Sequence, residues 1–310
     1  MVVKVKNLVK RYRELIALDH FNLELKEGEI LGLLGPNACG KTTAINCMLS
    51  LLNFDKGEIE IFGQRISPNA YDIKRQIGLA PQELSVFANL KVRENIDYFC
   101  GLYIGDKSTR KKYVREAIEF VGLEDYSDFY PKKLSGGLKR RLNIACGIAH
   151  KPRLIFLDEP TVAVDAQSRN FILNGIKELN REGSSIIYTT HYLEEAEILC
   201  ERIIIMDKGK NLVAGSKDQL LSMITTSEKI TLVFPEMDEQ IIMKLKGLPH
   251  LIDIEGEGEK YTIKFENASN NLANLLEFIE ENNLTYTNLH SQLPSLNDVF
   301  LELTGKELRD

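Results

Sequence analysis

Several apolar runs in the first part of the chain predict a central sheet of buried parallel strands. Strands that are covered on both faces form near-continuous apolar segments rather than an alternation of apolar and polar residues. Helical periodicity separates the runs, most clearly in Ala44–Leu52 and in the stretch from Asp165 to about Asn180. Strands that alternate with helices predict an α/β fold. The apolar runs are Ile30–Leu34, Ile77–Gln82, Leu154–Leu157 and Ser185–His191.

Two other patterns accompany this sheet. Near the N-terminus, Val2–Val5 and Phe21–Leu25 alternate apolar and polar residues, which predicts an antiparallel β subdomain. From about residue 84 to 150, apolar positions recur at helical spacing, for example in Leu90–Phe99 and Lys111–Val121, and predict a helical subdomain. Its aromatic residues have two open interpretations, since they either pack in the subdomain core or line a groove for a partner. These residues are Tyr98, Phe99 and Tyr103.

The pattern changes again beyond about residue 220. Segments of strand and helix character follow in the order βαββαβ, which predicts a small ferredoxin-like α+β domain. The segments are 229–234, 238–246, 252–257, 260–265, 271–281 and 284–290. We therefore expect a core domain at 1–220 and an α+β accessory domain at 221–310.

A capped helix is predicted between Ser295 and Gly305. Ser295 and Asp298 occupy the two positions of a capping box, and Gly305 is suited to end the helix. This face either packs on its own domain or supports the pairing of two copies of the chain. The face consists of Leu296, Val299, Phe300 and Leu303.

Composition and charge narrow the class of protein without selecting a function. The 310 residues are 44% apolar and 27% charged, as in an ordinary globular protein. The net charge of −6 provides no general attraction to nucleic acid, so we expect no nucleic-acid partner. No stretch approaches the roughly 18–20 apolar residues of a membrane span, and we expect no signal peptide. The five scattered cysteines favour free thiols in a reducing cytoplasm.

The segment after the first central strand has the pattern of a phosphate-binding loop. Its glycines and its Lys-Thr pair have the spacing at which backbone N–H groups form an anion-binding nest at a helix start. Lys41 supplies a positive charge for the outer phosphates, and the Thr42 hydroxyl is a candidate Mg²⁺ ligand. The candidate nucleotide contacts are Gly35, Pro36, Asn37, Ala38, Cys39, Gly40, Lys41, Thr42 and Thr43.

Polar side chains end the other apolar runs. Gln82, the pair Asp158 and Glu159, and His191 each follow a predicted strand. Because ligands bind beyond the carboxyl ends of parallel strands, we expect these side chains to share one site. Asp158 is a candidate to hold Mg²⁺ through its water shell, Gln82 to reach a metal or a water, and Glu159 to polarise an attacking water.

Two weaker signals concern Tyr12 and the segment Ser135-Gly136-Gly137. Ser135 is a candidate N-cap, and the glycines after it allow close backbone approach, so this helix start is a second candidate anion site. Tyr12 is either an ordinary half-buried tyrosine or an aromatic side chain that stacks on a base.

Taken together, residues 1 to about 220 resemble the ATP-binding subunit of an ATP-binding-cassette (ABC) transporter, a P-loop NTPase. Gly35–Thr43 resembles the Walker A loop, Leu154–Glu159 resembles Walker B with its catalytic glutamate, and Leu134–Leu138 resembles the signature sequence. Further matches are Gln82, Asp165 and His191 at the Q-, D- and H-loops, and Tyr12 at the adenine-stacking position.

This resemblance implies a mechanism as well as a fold. Two copies would sandwich two ATP molecules head to tail, so that Ser135–Gly137 of one copy contacts the γ-phosphate that Lys41 of the other holds. The implied cofactors are ATP and Mg²⁺, and the implied catalytic residues are Lys41, Gln82, Glu159 and His191. The implied nucleotide contacts from the second half of the site are Ser135, Gly136, Gly137 and Asp165.

The C-terminal segment resembles the tail of ATPases that work with a separate permease in bacterial export, including the daunorubicin-resistance type. This resemblance implies ATP hydrolysis that energises a separate integral membrane permease, for export of a drug, a lipid or another small molecule. The chain would then be cytoplasmic and peripheral on the inner face of the cell membrane. A soluble cassette ATPase that acts on ribosomes or DNA is the alternative, and a regulator that binds ATP without turnover is a third possibility.

Three positions depart from the family pattern. Ala38 and Ala163 stand where glycine is usual, and Leu138 replaces the usual glutamine after the signature glycines. If Ala38 needs a positive φ, it adds roughly 1 kcal/mol of strain. None of the three removes a group expected to touch metal or water, so we expect an active enzyme.

Overall fold

The computed structural model describes residues 1–225, 228–234, 239–266 and 268–306, apart from the side chain of Glu257. The described residues divide into two compact units, 1–216 and 217–306. The strands of the first unit are β1 (Val3–Tyr12), β2 (Leu15–Leu25), β3 (Ile30–Leu34), β4 (Lys56–Ile61), β5 (Gln64–Arg65), β6 (Ile77–Ala80), β7 (Leu154–Asp158), β8 (Ser185–Thr190), β9 (Arg202–Asp207) and β10 (Lys210–Gly215). Its helices are α1 (Lys41–Met48), α2 (Tyr71–Lys74), α3 (Val92–Gly101), α4 (Lys107–Phe120), α5 (Gly136–Ile148), α6 (Ala166–Arg181) and α7 (Leu193–Leu199).

The central sheet of the first unit places the ends of four strands beside one another. Its strand order is β10-β9-β3-β8-β7-β6, with β9, β3, β8, β7 and β6 parallel and β10 antiparallel to β9. β3, β7 and β8 are buried at every position, as their continuous apolar sequences predict. The carboxyl ends of β3, β8, β7 and β6 therefore meet at one edge, where the candidate site lies.

Two further layers complete this unit, and both agree with the predicted subdomains. The antiparallel sheet has the order β2-β1-β4-β5, and its apolar face shares one core with the central sheet and α1. α3, α4 and α5 enclose a separate core of the helical subdomain. The fold prediction of an α/β core with an antiparallel β subdomain and a helical subdomain is thus confirmed.

Some element boundaries differ from those predicted. The first helix was expected at Ala44–Leu52 but begins at Lys41, because Gly40 turns the chain with φ 114, and Ser50 leaves helical geometry at φ 53. α7 was not predicted, since its single apolar face spans only about two turns. No helix among the described residues is both long and apolar enough to cross a bilayer.

The second unit has the predicted ferredoxin-like topology. Its elements are α8 (Lys217–Leu221), β11 (Glu228–Val233), α9 (Glu239–Leu245), β12 (Leu251–Glu257), β13 (Lys260–Phe265), α10 (Asn271–Glu281), β14 (Thr287–Gln292) and α11 (Leu296–Thr304). The antiparallel sheet has the order β12-β13-β11-β14, and a buried apolar core lies on one of its faces. β14 begins later than the predicted Leu284, and residue 238 of the helix predicted at 238–246 lies outside the described residues.

The last helix has the predicted caps. Ser295 N–H donates to the Asp298 carboxylate at 2.8 Å, and Gly305 ends the helix at φ 66. Leu296, Val299 and Phe300 are buried, whereas Leu303 is 42% exposed. α11 packs against α8 of its own unit, and Asp298 pairs with Lys229 of β11. These contacts lie within the second unit and agree with packing of the helix on its own domain.

Candidate active site

The loop between β3 and α1 is closely packed by its neighbours. Gly40 adopts φ 114, and a Cβ there would lie 2.7 Å from the Ala17 carbonyl oxygen. A Cβ on Gly35 would lie 2.4 Å from the Met206 carbonyl oxygen. Glycine is therefore required at both ends of the loop, for backbone conformation at Gly40 and for space at both.

Ala38 adopts φ 63, so this position does need a left-handed backbone. An L-residue other than glycine costs about 1–2 kcal/mol in this conformation. The strain expected from the sequence is therefore present in the loop. Beside it, the Cys39 N–H donates to the Pro36 carbonyl at 3.2 Å, and burial raises the pKa of the Cys39 thiol.

Lys41 is buried, and its ammonium group has three close acceptors. It donates to the carbonyl oxygens of Gly35 at 2.7 Å and Pro36 at 3.1 Å, and it lies 3.1 Å from Glu159 Oε1. These contacts satisfy the three donors of the ammonium group. The side chain thereby holds the charge at the base of the loop, and a phosphate there would compete with these acceptors.

Glu159 lies at the centre of the group of polar side chains. It is 5% exposed, and its Oε2 accepts from Gln82 Nε2 at 3.0 Å and lies 3.4 Å from His191 Nδ1. Its backbone is left-handed at φ 47, held by hydrogen bonds from its N–H to the carbonyl and the hydroxyl of Thr189. The predicted meeting of the three strand ends is therefore found in the structure.

Asp158 occupies the last position of β7 and is almost fully buried. Its carboxylate accepts from the Thr189 hydroxyl at 2.6 Å. Burial raises the pKa of Asp158, while the hydroxyl groups of Thr189 and Thr42 act in the opposite direction. A buried carboxylate beside a threonine hydroxyl is an oxygen donor set of the type that Mg²⁺ prefers.

A cleft of about 580 Å³ opens above the loop. Tyr12, the last residue of β1, lines one end and is 46% exposed, with Lys10 Nζ 5.0 Å from its ring centre. Its exposure agrees with a ring available for stacking rather than with a half-buried structural tyrosine. The remaining lining residues include Asn37, Ala38, Gly40, Lys41, Thr42, Thr43, Gln82 and Glu159.

Ser135, Gly136 and Gly137 lie away from the residues that line this cleft. Ser135 caps α5 by accepting from the Leu138 N–H at 3.3 Å, which confirms the predicted N-cap. A Cβ on Gly137 would lie 2.4 Å from Ser168 Oγ and 3.0 Å from Asp165 Oδ2, whereas one on Gly136 would meet only the Ala163 carbonyl at 3.6 Å. Gly137 is thus needed for packing against α6, and Gly136 is free to face outward.

Asp165 starts α6 as its N-cap. It accepts from the Ser168 N–H at 2.8 Å, and this hydrogen bond lowers the pKa of its carboxyl group. Ala163, two residues before it, adopts φ 58, which explains why glycine is usual there in the resembling family. The structure places Asp165 beside the signature segment and not in the cleft.

Sequence patterns did not reveal several supporting residues. Thr189 binds both Asp158 and Glu159, but it stands inside an apolar run without a motif of its own. Arg140 donates to the Gln82 carbonyl at 2.7 Å, and Glu195 bonds to residues of β8. For Glu195 the sequence did contain a signal. This charged residue lies on the same helix face as the apolar Leu199, and the structure shows that it is buried.

Comparison with known proteins defines the class. The family description "ABC transporter" matches residues 18–162, and the description "ATP-binding protein DrrA1-3-like, C-terminal domain" matches residues 218–304. The chain belongs to the ABC transporter family, as an ATP-binding subunit that hydrolyses ATP.

Relatives match along the whole chain. The linearmycin resistance ATP-binding protein LnrL of Bacillus subtilis (strain 168) is 35% identical over 100% of both chains. The Nod factor export ATP-binding protein I of Ralstonia nicotianae is 31% identical over 100% of this chain and 95% of the relative. The daunorubicin resistance ATP-binding protein DrrA2 of Streptomyces coeruleorubidus is 32% identical over 98% and 95%.

Solved structures of ABC cassettes match a large part of the chain. A dimeric bacterial ABC transporter cassette is 29% identical and covers 69% of this chain and 98% of its own, with a TM-score of 0.65. A dimeric post-hydrolysis cassette bound to ADP and Pi is 28% identical, with the same coverage and a TM-score of 0.64. Nothing in these comparisons favours a cassette ATPase that acts on ribosomes or DNA.

Proposed function

We propose that this ATPase energises export of a drug, a lipid or another small molecule through a separate integral membrane permease. The observation that carries the proposal is the set of contacts around Glu159, where Lys41, Gln82 and His191 meet. Relatives that match the whole chain, and whose names denote drug resistance and Nod factor export, support the direction.

In this proposal the cleft binds ATP. The backbone of Gly35–Thr43 and the Lys41 ammonium hold the phosphates, since loop N–H groups and the start of α1 favour anions. Tyr12 stacks on the adenine at the open end of the cleft. A bound γ-phosphate replaces Glu159 as a partner of Lys41 and frees the carboxylate for catalysis.

Mg²⁺ fits the oxygen donors beside the loop. Thr42 and Gln82 would hold the ion directly and Asp158 through its water shell, because Mg²⁺ keeps several waters and few protein ligands. The ion would neutralise charge on the β- and γ-phosphates.

Hydrolysis in this proposal depends on Glu159 as general base. Its carboxylate accepts a proton from the water that attacks the γ-phosphorus, and the leaving ADP oxygen departs on the opposite side. His191, 3.4 Å from Glu159, contacts the γ-phosphate and fixes the carboxylate. The low exposure of Glu159, Lys41 and His191 strengthens these electrostatic contacts.

We further propose a nucleotide-dependent homodimer. Ser135, Gly136 and Asp165 are exposed in one chain and lie away from its own cleft, so each needs a second copy to reach a phosphate. The exposed start of α5 provides backbone N–H groups for the γ-phosphate of the partner. The dimeric cassettes among the similar structures support this arrangement.

The permease would bind the aromatic surface that follows Gln82. Phe87 and Tyr98 are 45% and 48% exposed, and their ring centres lie 4.9 Å apart. The loop that carries Phe87 is held by the buried side chain of Asn95, which bonds to both backbone groups of Phe87. A firmly held apolar surface next to Gln82 is suited to an amphipathic helix of a permease, which would place the chain on the inner face of the membrane.

Reconstitution tests this proposal. The full chain is combined in lipid vesicles with the permease encoded beside it, and ATP hydrolysis and cargo movement are measured together. We expect ATP-dependent export that Glu159→Gln abolishes. Tyr98→Ala should weaken copurification of the two proteins, whereas Tyr286→Ala, which alters another exposed tyrosine, should not. Full ATP turnover with no permease-dependent transport would contradict the proposal.

A further inference from the structure

A carboxylate outside the described site is fully buried. Glu195, in α7, has 0% exposure, and its Oε2 accepts from Tyr188 Oη at 2.6 Å and from Thr190 Oγ1 at 2.9 Å. Its Oε1 accepts from Arg169 Nε at 2.7 Å. A buried charge is costly unless paired and hydrogen-bonded, and here both oxygens have donors from two other elements.

The contacts to β8 hold the turn that carries His191. Thr190 gives its hydroxyl proton to Glu195, which leaves the same oxygen to accept from the Tyr192 N–H at 2.9 Å. The backbone is therefore fixed immediately before and after His191. The ring of Tyr192 also contacts the ring of His191, with centres 4.1 Å apart.

The contact to Arg169 connects this turn to the start of α6. The Arg169 N–H donates to the Asp165 carbonyl at 2.8 Å, within the first turn of the helix. Its guanidinium lies 5.0 Å from the centre of the Tyr192 ring. Glu195 thus fixes one side chain from the helix of Asp165 and two from the strand before His191.

We propose that Glu195 is a positioning residue that keeps His191 and the start of α6 in one arrangement. A shift of Asp165 at the dimer interface then moves Arg169, Glu195 and the turn of His191 together. Closure of the dimer and alignment of His191 become a single event. The inference rests on the proposed functions of His191 and Asp165.

The test uses Glu195→Gln in the full chain. The amide keeps the shape but removes the charge that pairs with Arg169, and its NH2 group can no longer accept from the Tyr188 and Thr190 hydroxyls. We expect kcat for ATP to fall about tenfold. KM should stay within about twofold, because the loop around Lys41 is untouched. Glu201→Gln removes a charge from an exposed side chain just after α7 and should leave both constants unchanged.

Two further variants separate positioning from stability. Tyr188→Phe removes one donor, and we expect a smaller fall in kcat with the same KM. Arg169→Met combined with Glu195→Gln removes both members of the ion pair, so the double variant should lose less than the product of the single losses. These variants also decide the question if Glu195→Gln alone fails to fold.

The outcomes distinguish this inference from the proposed function. A lowered melting temperature with unchanged kcat in Glu195→Gln and Tyr188→Phe would show a structural residue and overturn the inference. If His191→Ala keeps full turnover, the function proposed for His191 is wrong. If His191→Ala is inactive while the Glu195 and Tyr188 variants turn over normally, only the positioning inference fails.

Discussion

The two halves of the proposed ATP site are built in opposite ways. On the cleft side, charged side chains are buried and bonded to one another, as with Lys41 and Glu159 at 4% and 5% exposure. On the other side, Ser135, Gly136 and Asp165 are exposed, and the side chains of Ser135 and Asp165 cap helices. The cleft side therefore contributes charged side chains, and the other side contributes the backbone groups of a helix start.

This difference has a physical reason. Groups that move protons or stabilise developing charge must be held in a low-dielectric site before the reaction, so they are assembled within one chain. A helix start offers N–H groups without any buried charge, and glycine at Gly136 allows close approach. An exposed segment of this kind becomes useful only when a second molecule covers it.

The largest effect should follow from changes on the cleft side. Glu159→Gln keeps the hydrogen-bonding shape beside Gln82 but removes the base, so we expect steady-state ATP hydrolysis to fall about a hundredfold or more. ATP binding should persist, because Lys41 loses a competing anion. Enzyme-coupled release of phosphate and equilibrium binding of a fluorescent ATP analogue measure the two effects.

The control for this variant is Glu182→Gln, which removes an exposed carboxylate at the end of α6. It should hydrolyse ATP at the native rate. Unchanged turnover in Glu159→Gln would show that another group accepts the proton from water.

A smaller effect tests whether the halves come from different chains. Gly136→Asp adds a negative charge at the exposed helix start, and among the described residues its Cβ would meet the Ala163 carbonyl oxygen alone, at 3.6 Å. Lys41→Ala damages the cleft instead. Each variant alone should lose most activity, whereas an equal mixture should recover about a quarter, because mixed dimers contain one intact site.

The activity of the mixture of Gly136→Asp and Lys41→Ala decides whether the two halves of the site come from different chains. Recovery of ATP hydrolysis requires that the start of α5 and Lys41 serve the same nucleotide from two chains. If the mixture shows no more than the sum of the separate activities, while light scattering detects mixed dimers, the head-to-tail arrangement is wrong.

Much of the fold followed from local patterns. The strand ends at Gln82, Asp158 and His191 were found because apolar runs identify buried strands, and parallel order then brings their ends together. The loop from Gly35 was predicted because the spacing of its glycines and its Lys-Thr pair is typical of a phosphate-binding loop. The assignments of these residues to catalytic steps remain predictions that the proposed experiments test.

The remaining features depend on contacts between distant segments. Nothing near Glu159 in the sequence predicts its left-handed backbone, which Thr189 stabilises across the sheet. The contact of Gly137 with Ser168 and the buried network of Glu195 likewise join separate helices. Periodicity reports which face of an element is apolar, but not which polar groups meet across elements.

A third prediction distinguishes unfolding at low pH from titration of groups in the candidate active site. His150, just beyond α5, stacks on Tyr103 and bonds to the Ile77 carbonyl at 3.0 Å, and burial lowers its pKa to about 4. The unfolded histidine titrates near 6.5, so the unfolded state binds more protons between these values. Stability is then full above about pH 6.5 and falls by about 2–3 kcal/mol towards pH 4.5.

Urea unfolding at pH 7 and pH 4.5 measures this loss. His150→Gln should reduce the difference in urea midpoint between the two pH values, whereas His290→Gln, at an exposed histidine, should not. An unchanged difference in His150→Gln would mean that other groups cause the loss. If ATP hydrolysis by folded His150→Gln still falls at low pH, titration of groups in the cleft causes that fall.

The smallest expected effect concerns backbone strain on the exposed side. Ala163 is exposed at φ 58, so Ala163→Gly should remove about 1–2 kcal/mol of strain. Glycine also increases the entropy of the unfolded chain, at a cost of about 0.4–1 kcal/mol, so we expect a net gain near 0.5–1 kcal/mol.

Ala166→Gly, at an exposed position within α6, should instead destabilise the chain by a similar amount. Urea midpoints of both variants measure the difference, and a loss of stability in Ala163→Gly would show that the left-handed turn is not strained. A gain in stability with unchanged ATP turnover would show that the exposed half of the site tolerates a more flexible turn, as expected for a surface that a second chain must complete.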